Sequence, residues 1–319
     1  MFGFKPKEDV DNTLYIITAV FNPRLFKSRY KLYREFKKYL ESEKNVKLLT
    51  VEIAYAERPF EVTSKKNKWD LQLRSYNELW HKERAINIGF EYLLKLVPHA
   101  KYIAWIDADV KFTNSNWVRD TINGLHTYDI VQPFSEAINL NAKYEYMWHT
   151  HSSMKNFHEK LGYHQYPPLP LSYLCGGHPG LAWAARVSTF RKMGGLMDFC
   201  IAGSGDTHML NALMGDVTLF YRKGMTEEYR QSLQDWADRA AFISRNIGYV
   251  DGICYHYWHG RSENRGYEKR WDILNFHQFN PKVDITVDTN GLYKWAGNKP
   301  LLAQDLRKSM GERDEDAIY

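Results

Sequence analysis

Cysteine is scarce in this sequence, and the few copies are badly placed for scaffolding. Three occur in 319 residues: Cys175, Cys200 and Cys254. An odd number without closely spaced pairs fits neither a disulfide framework nor a zinc ribbon, so a reducing compartment is expected. Long apolar runs are missing too. No window approaches the roughly 18 apolar residues of a membrane span. The opening MFGFKPKEDVDN has no apolar core of a secretory signal. Both absences point to a cytoplasmic location. Charge of one sign is in small excess only. The formal net charge of +5 falls short of the clustered basic face of a nucleic-acid binder but suits an anionic ligand. No internal repeat or low-complexity linker interrupts the chain, so one domain is the simplest organisation.

What is present reads as an ordinary globular protein, 44% hydrophobic and 25% charged. Aromatic residues reach 15%, with 22 Tyr and 10 Trp. Most of these are expected in the core, with some lining pockets by stacking. After a loose N-terminus over 1–12, Leu14–Val20 is β-branched and apolar and runs into the turn signal Phe21-Asn22-Pro23, as a buried strand would. Residues 28–43 place Tyr30, Tyr33, Phe36, Tyr39 and Leu40 at helical spacing. Lys47–Ala54 reads as a second strand, Glu78–Leu96 as a helix closed by Pro98, and Tyr102–Ile106 as a third strand. That alternation predicts a parallel sheet covered by helices, with ligands at the carboxyl ends of its strands. Residues 133–175, rich in Tyr, His and Pro, read as an excursion over the site. Leu181–Ala185 reads as a strand, His208–Met214 and Asp235–Asn246 as helices, and Met310–Tyr319 as an acidic tail.

The third strand runs directly into Asp107-Ala108-Asp109. Side chains two apart on an extended strand face the same way, so two hard carboxylates would meet at one point and hold Mn²⁺ or Mg²⁺. A solvated turn is the plain alternative. The stretch WHKERAINIGFEYLLKLVPHAKYIAWIDADV resembles the donor-binding region of GT-A glycosyltransferases, in which an Arg/Asn-bearing helix precedes a strand and an Asp-x-Asp motif. The resemblance implies an α/β fold: a GT-A, Rossmann-like mixed sheet flanked by helices. It spans residues 13–270 as a single domain, with a short C-terminal extension over 271–319. It also implies a nucleoside-diphosphate sugar donor. By position Arg84 and Asn87 are the residues that would touch its nucleotide or diphosphate, with Asp107 beside them. Lys82 and Glu83 exemplify the alternative, a helix face turned to solvent. Thr18 and Asn22 at the end of the first strand, and Glu57 after the second, occupy nucleoside-binding positions. Glu57 is equally well a surface charge.

Two later segments extend the resemblance. LCGGHPGLAWAARVSTFRKMGGLMDFCIAGSGDTHML is similar to a block of the galactosyltransferase branch. Gly176-Gly177 lets backbone approach a ligand, so Gly177 is placed at the donor. Asp206 after Gly203-Ser204-Gly205 would take the proton of the acceptor hydroxyl. Helix capping is the alternative for that residue. Relatives often carry Glu directly before this acid and a further acid after it. Here Gly205 and Thr207 stand there, which puts acceptor handling in question. In YHYWHGRSENRGYEKRW the resemblance implies a histidine that completes the metal's ligand set. His259 fits best and His256 is the runner-up, with Arg261 or Arg265 reaching phosphate. In an extended segment their odd separation would point the two histidines to opposite faces, so one ligand is expected. His178 and His208 are further acceptor-side candidates.

The expected reaction is metal-dependent transfer of a sugar to a hydroxyl, with inversion at the anomeric carbon. The chain as a whole is similar to uncharacterised phage-encoded transferase-like proteins. A hydroxymethylated base in DNA therefore joins a glycan or a protein as an acceptor. The rivals are a nucleotidyl or phosphoryl transferase that uses the same paired acids, and a non-catalytic nucleotide-sugar-binding module.

Overall fold

A computed structural model describes residues 12–161, 176–261 and 263–317. Its elements run β1 (Leu14–Phe21), α1 (Lys27–Glu41), β2 (Val46–Tyr55), β3 (Asp70–Ser75), α2 (Lys82–Leu96), β4 (Tyr102–Ile106), β5 (Val110–Phe112) and α3 (Trp117–Thr127). There follow β6 (Ile130–Gln132), β7 (Glu136–Leu140), β8 (Tyr146–His151), α4 (Ser153–Leu161), β9 (Ala182–Arg186), α5 (Val187–Lys192) and α6 (Gly205–Leu213). The rest comprises α7 (Glu227–Ala240), β10 (Ile247–Tyr249), β11 (Ile253–His256), α8 (Lys269–Phe276), β12 (Ile285–Val287), β13 (Tyr293–Trp295) and α9 (Pro300–Gly311).

The main sheet has seven strands in the order β10-β6-β9-β4-β1-β2-β3. β1, β2 and β4 are parallel, as strand–helix alternation requires, β3 joins β2 in parallel after the loop 56–69, and β9 inserts antiparallel between β4 and β6. The sheet is therefore mixed and is covered on both faces. Strand alternation sorts its side chains: Tyr15, Ile17, Ile103 and Trp105 enter the cluster built on Phe90 and Phe190, and Leu14, Ile16, Ala104 and Ile106 enter the one built on Phe36 and Trp117. Burial on two faces is why β1 and β4 read as unbroken apolar runs.

A second sheet, ordered β5-β11-β7-β8, stands against the carboxyl end of β4. The chain passes from one sheet to the other through Asp107-Ala108-Asp109. This crossing is a turn, not an extension of the strand.

Several boundaries differ from the sequence expectations. β3 lies in DLQLRS, too polar to announce a strand, yet it zips onto β2 from Asp70 to Ser75. Of the excursion expected over 133–175, residues 133–161 form β7, β8 and α4, with the exposed Tyr144, Tyr146 and Trp148 in and beside β8, and 162–175 lie outside the described residues. α7 covers 227–240 and not 235–246, because Thr226 caps it, its hydroxyl accepting from the Tyr229 amide at 3.3 Å. The region after 270 shares the main core through Trp271, Leu274, Phe279, Leu302 and Leu306. The tail expected over Met310–Tyr319 begins in the last turn of α9 and, as far as the described residue 317, is a docked segment in which Glu315 is 1% exposed. Cys200 and Cys254 are buried free thiols, and Cys175 lies outside the described residues. Among the described residues no helix is long and apolar enough to cross a membrane.

Candidate functional site

One cleft of about 190 Å³, open to solvent, lies at the carboxyl ends of β1 and β4. Such a position is where open α/β sheets bind ligands. Its floor is Ala19, Val20 and Phe21 of β1 with Leu32 and Tyr33 of α1 and Trp80. Asp107, Asp109, His256, His259 and Arg265 also line the cleft.

The charged lining holds a ligand set. Oxygens and nitrogens of Asp109, His256 and His259 lie within 4.8 Å of one another. The two Nε2 atoms are 3.0 Å apart, and the Asp109 Oδ2 is 3.4 Å from that of His259 and 3.9 Å from that of His256. His256 Nδ1 sits 2.7 Å from the Asn139 oxygen; an N–H donated there turns the Nε2 lone pair toward Asp109. Burial, with Arg265 adding to it, pushes both imidazoles well below the ordinary histidine value, so they are neutral. Burial and Asp107 push the Asp109 carboxyl up to about 7. Its Oδ1 is buried without a partner. Two neutral imidazoles, a carboxylate that resists ionisation and an orphaned oxygen all gain from a shared divalent cation.

Both histidines face one point, against the expectation from their odd spacing. β11 ends at His256, and the chain then turns through Tyr257–Gly260, so strand parity does not reach His259. The Tyr257 amide donates to the Asp109 carbonyl at 2.9 Å and fastens this turn to the acid. The expected convergence of Asp107 with Asp109 fails for the same kind of reason. The turn at Ala108–Asp109 separates them, and Asp107 instead accepts from Lys82 Nζ at 3.2 Å. Asp107 lines the cleft outside the three-residue cluster.

The face of α2 that meets the cleft is not the expected one. Lys82, Glu83 and Ile86 line it. Arg84 and Asn87 lie about 200° and 100° further round a helix of 3.6 residues per turn, counted from Lys82 and Ile86, and they point to the C-terminal region. Arg84 pairs with Asp198 at 2.9 Å and donates to the Gly291 carbonyl at 2.5 Å. Asn87 bonds Asp198 and the Leu196 backbone. Both are struts between α2 and later segments. Thr18 donates to the Ile106 carbonyl between β1 and β4, and Asn22 closes the turn to Phe26. Glu57 is exposed and accepts from Tyr76. Gly177 packs against the His151 and Ser152 carbonyls, and Arg261 is exposed. None of these seven lines the cleft, whereas Arg265 does.

Asp206 also lines the cleft. Gly203 and Ser204 are both left-handed (φ +92° and +71°), and Ser204 takes the N-cap position of α6, so Asp206 is not the capping residue. A left-handed serine is strained, and Arg270 steadies it with a 2.6 Å bond to its hydroxyl. Burial alone would raise the Asp206 carboxyl. Lys82, His178 and the Thr207 amide outweigh burial and hold it below the ordinary carboxylate range. It is therefore an ionised base at neutral pH. A Cβ at Gly180 would overlap its Oδ2, so glycine there makes room for the carboxylate. His178 joins the cleft, its ring 6.2 Å from that of His256. His208 is sealed among Phe220, Tyr229 and Trp271 and cannot meet an acceptor.

Glu83 fills the space that a side chain at Gly205 would need: a Cβ there would lie 2.9 Å from its carboxyl. Burial outweighs Lys82 and raises the Glu83 carboxyl from 4.5 to about 7. The folded state keeps a proton that the unfolded chain releases, so stability falls as pH rises through that window and stays lower above it. A shift of this size corresponds to about 3 kcal/mol for a fully buried group. Glu83→Gln is expected to raise the unfolding temperature clearly at pH 8 and little at pH 5 in calorimetry. An equal rise at both pH values would show that the carboxyl ionises normally.

No family model matches the sequence, and no curated protein does. Solved structures are similar in outline. One is a mutant Drosophila β1,4-galactosyltransferase 7 in complex with manganese, UDP-Gal and xylobiose, at 11% identity over 92% of this chain and 98% of that chain, TM-score 0.41. Another is the catalytic domain of the Drosophila enzyme with xylobiose, at 11% identity over 92% and 99%, TM-score 0.38. A third is a candidate nucleotide-diphospho-sugar transferase from Desulfovibrio desulfuricans, at 10% identity over 97% and 99%, TM-score 0.34. Superpositions of this quality carry no residue role into this chain.

Proposed function

We propose that the cleft is the active site of a metal-dependent glycosyltransferase of the GT-A type, moving a sugar from a nucleoside diphosphate to a hydroxyl. One observation carries the reading: Asp109, His256 and His259 converge within 4.8 Å in a cleft that also holds the ionised Asp206. Phe21, Tyr33 and Trp80 suit a nucleoside, and Arg265 stands beside the cluster where the diphosphate would lie. Two imidazoles and one carboxylate suit Mn²⁺ better than Mg²⁺, which favours oxygen ligands. Ferrous iron also accepts such a trio. The cationic Lys82, Arg265, Arg270 and Arg313 around it favour a phosphorylated ligand.

Asp206 takes the proton of the acceptor hydroxyl as that oxygen bonds to the anomeric carbon. The bond from that carbon to the diphosphate oxygen breaks with its electron pair, and the configuration inverts. The bound cation would supply charge neutralisation for the departing diphosphate. Lys82, between Asp107 and Asp206, keeps the base ionised.

A thermal-shift screen tests the reading. Mn²⁺ is expected to stabilise the protein, and a nucleoside-diphosphate sugar to add a few degrees only when Mn²⁺ is present. No response to any such sugar with Mn²⁺ would end it. Turnover of nucleoside triphosphates without sugar transfer would favour the phosphoryl-transfer rival instead. A gel shift at low and high salt tests DNA as the acceptor among glycans and proteins.

A further inference from the structure

The segment after α9 is built into the cleft. Glu315 is buried, and Arg29 grips both its carboxylate oxygens, through Nε and at 2.7 Å through a terminal nitrogen. Arg313 Nε adds a third bond at 2.6 Å. Asp316 caps α1 by accepting from the Lys27 and Ser28 amides at 2.9 and 2.8 Å. The Ala317 carbonyl accepts from Trp258 Nε1 at 2.6 Å, within the turn that carries His259. Gly260, at φ +91°, ends that turn against the same segment. A Cβ there would stand 2.9 Å from the Glu315 Cα and 3.0 Å from the Arg313 carbonyl. Residues 313–317 and the turn 256–260 are therefore one packed unit.

Arg29 is used up by this arrangement, since its remaining edge donates to the Phe21 carbonyl at 2.7 Å. Arg313 is not. Glu315 takes its Nε, its guanidinium lies 5.3 Å from the Trp80 ring centroid, and among the described residues it forms no other hydrogen bond. It lines the cleft with Asp109, His259 and Arg265. A planar fork, held at one edge and free at the other beside a cation site, matches what phosphate oxygens require.

We propose that Arg313 is a phosphate-binding residue of the donor site, carried into place by the docked segment and positioned by Glu315. This rests on the nucleoside-diphosphate reading of the cleft.

Calorimetric titration of the full chain with Mn²⁺, then with inorganic pyrophosphate in saturating Mn²⁺, tests it. Arg313→Met keeps the stem over Trp80 and removes the charge. It is expected to weaken pyrophosphate about tenfold or more while leaving Mn²⁺ binding within about threefold. Arg313→Lys keeps the charge without the fork and is expected to lose about threefold or more; a thermal melt establishes which variants fold. Wild-type pyrophosphate affinity in whichever variant folds overturns the role of Arg313 alone. If the unaltered protein binds Mn²⁺ and no pyrophosphate, the nucleoside-diphosphate reading falls, and this assignment with it.

Discussion

Asp109→Asn is expected to stabilise the metal-free protein and to abolish its response to metal. The substitution keeps the shape of the side chain and removes an ionisation. Burial and Asp107 hold the folded carboxyl near 7, far above its value in an unfolded chain. Its charge therefore costs stability wherever it forms, most at pH 8 and above, and a neutral amide removes that cost. The same substitution deletes the only anionic member of the cluster with His256 and His259. Loss of a hydrogen-bonded partner around a metal ligand costs about 10–100-fold in affinity, so loss of the anionic ligand itself is expected to cost about 100-fold or more. Unfolding temperatures at pH 8, in a chelator and in Mn²⁺, read both effects at once. Stabilisation of the variant by Mn²⁺ equal to that of the unaltered protein would remove Asp109 from the site. The sugar-transfer mechanism would lose its central support with it.

Asp206→Asn should separate chemistry from binding. The carboxylate is ionised at neutral pH and lies in the same cleft as the metal cluster, but outside it. Loss of a general base costs about 10²–10⁴ in rate. The amide fits the space beside Gly180 and still accepts from the Thr207 amide, which Asp206 bonds at 2.8 Å. A fall in kcat of about a thousandfold is expected, with donor affinity within about threefold, measured by single-turnover transfer and by donor titration. A variant that retains its rate would make the cleft a binding module or shift the base to another residue. Because Asp206 is held below the ordinary carboxylate value, the rate of the unaltered protein should not fall on its account between pH 8 and pH 5.

The sequence carried the scaffold of this site better than its lining. An apolar run followed at once by acids read as a central strand ending at a ligand-binding edge, with a solvated turn as the alternative. β4 and Asp109 stand there. The helix before it was also legible, but its orientation was not. Lys82 and Glu83 read as solvent-facing charges and Arg84 and Asn87 as ligand contacts, because a periodic pattern defines a buried stripe and leaves open which flank meets a cleft. The flank was decided by Asp198, Gly291 and Leu196, more than 100 positions along the chain, which take the polar groups of Arg84 and Asn87. Glu315 and Arg313 carried no signal at all. A short charged segment looks the same in a sequence whether it is solvated or sealed between two arginines and a tryptophan.

What the sequence determined by itself was therefore local. It set the alternation of β1, β2 and β4 with α1 and α2, the acids at the tip of β4, the turn that lifts Asp206 onto α6, and the late histidines. Hydrophobic period and turn chemistry are written in neighbouring residues, so they can be read one window at a time. Only the tertiary structure decided that both histidines meet Asp109 while Asp107 turns to Lys82, that Glu83 fills the place left by Gly205, and that residues 313–317 wall the cleft. Each of these is a contact between segments far apart in the chain. Such contacts form only where packing brings buried charges together and each must find a partner, because an isolated charge in the interior costs more than the fold can sustain.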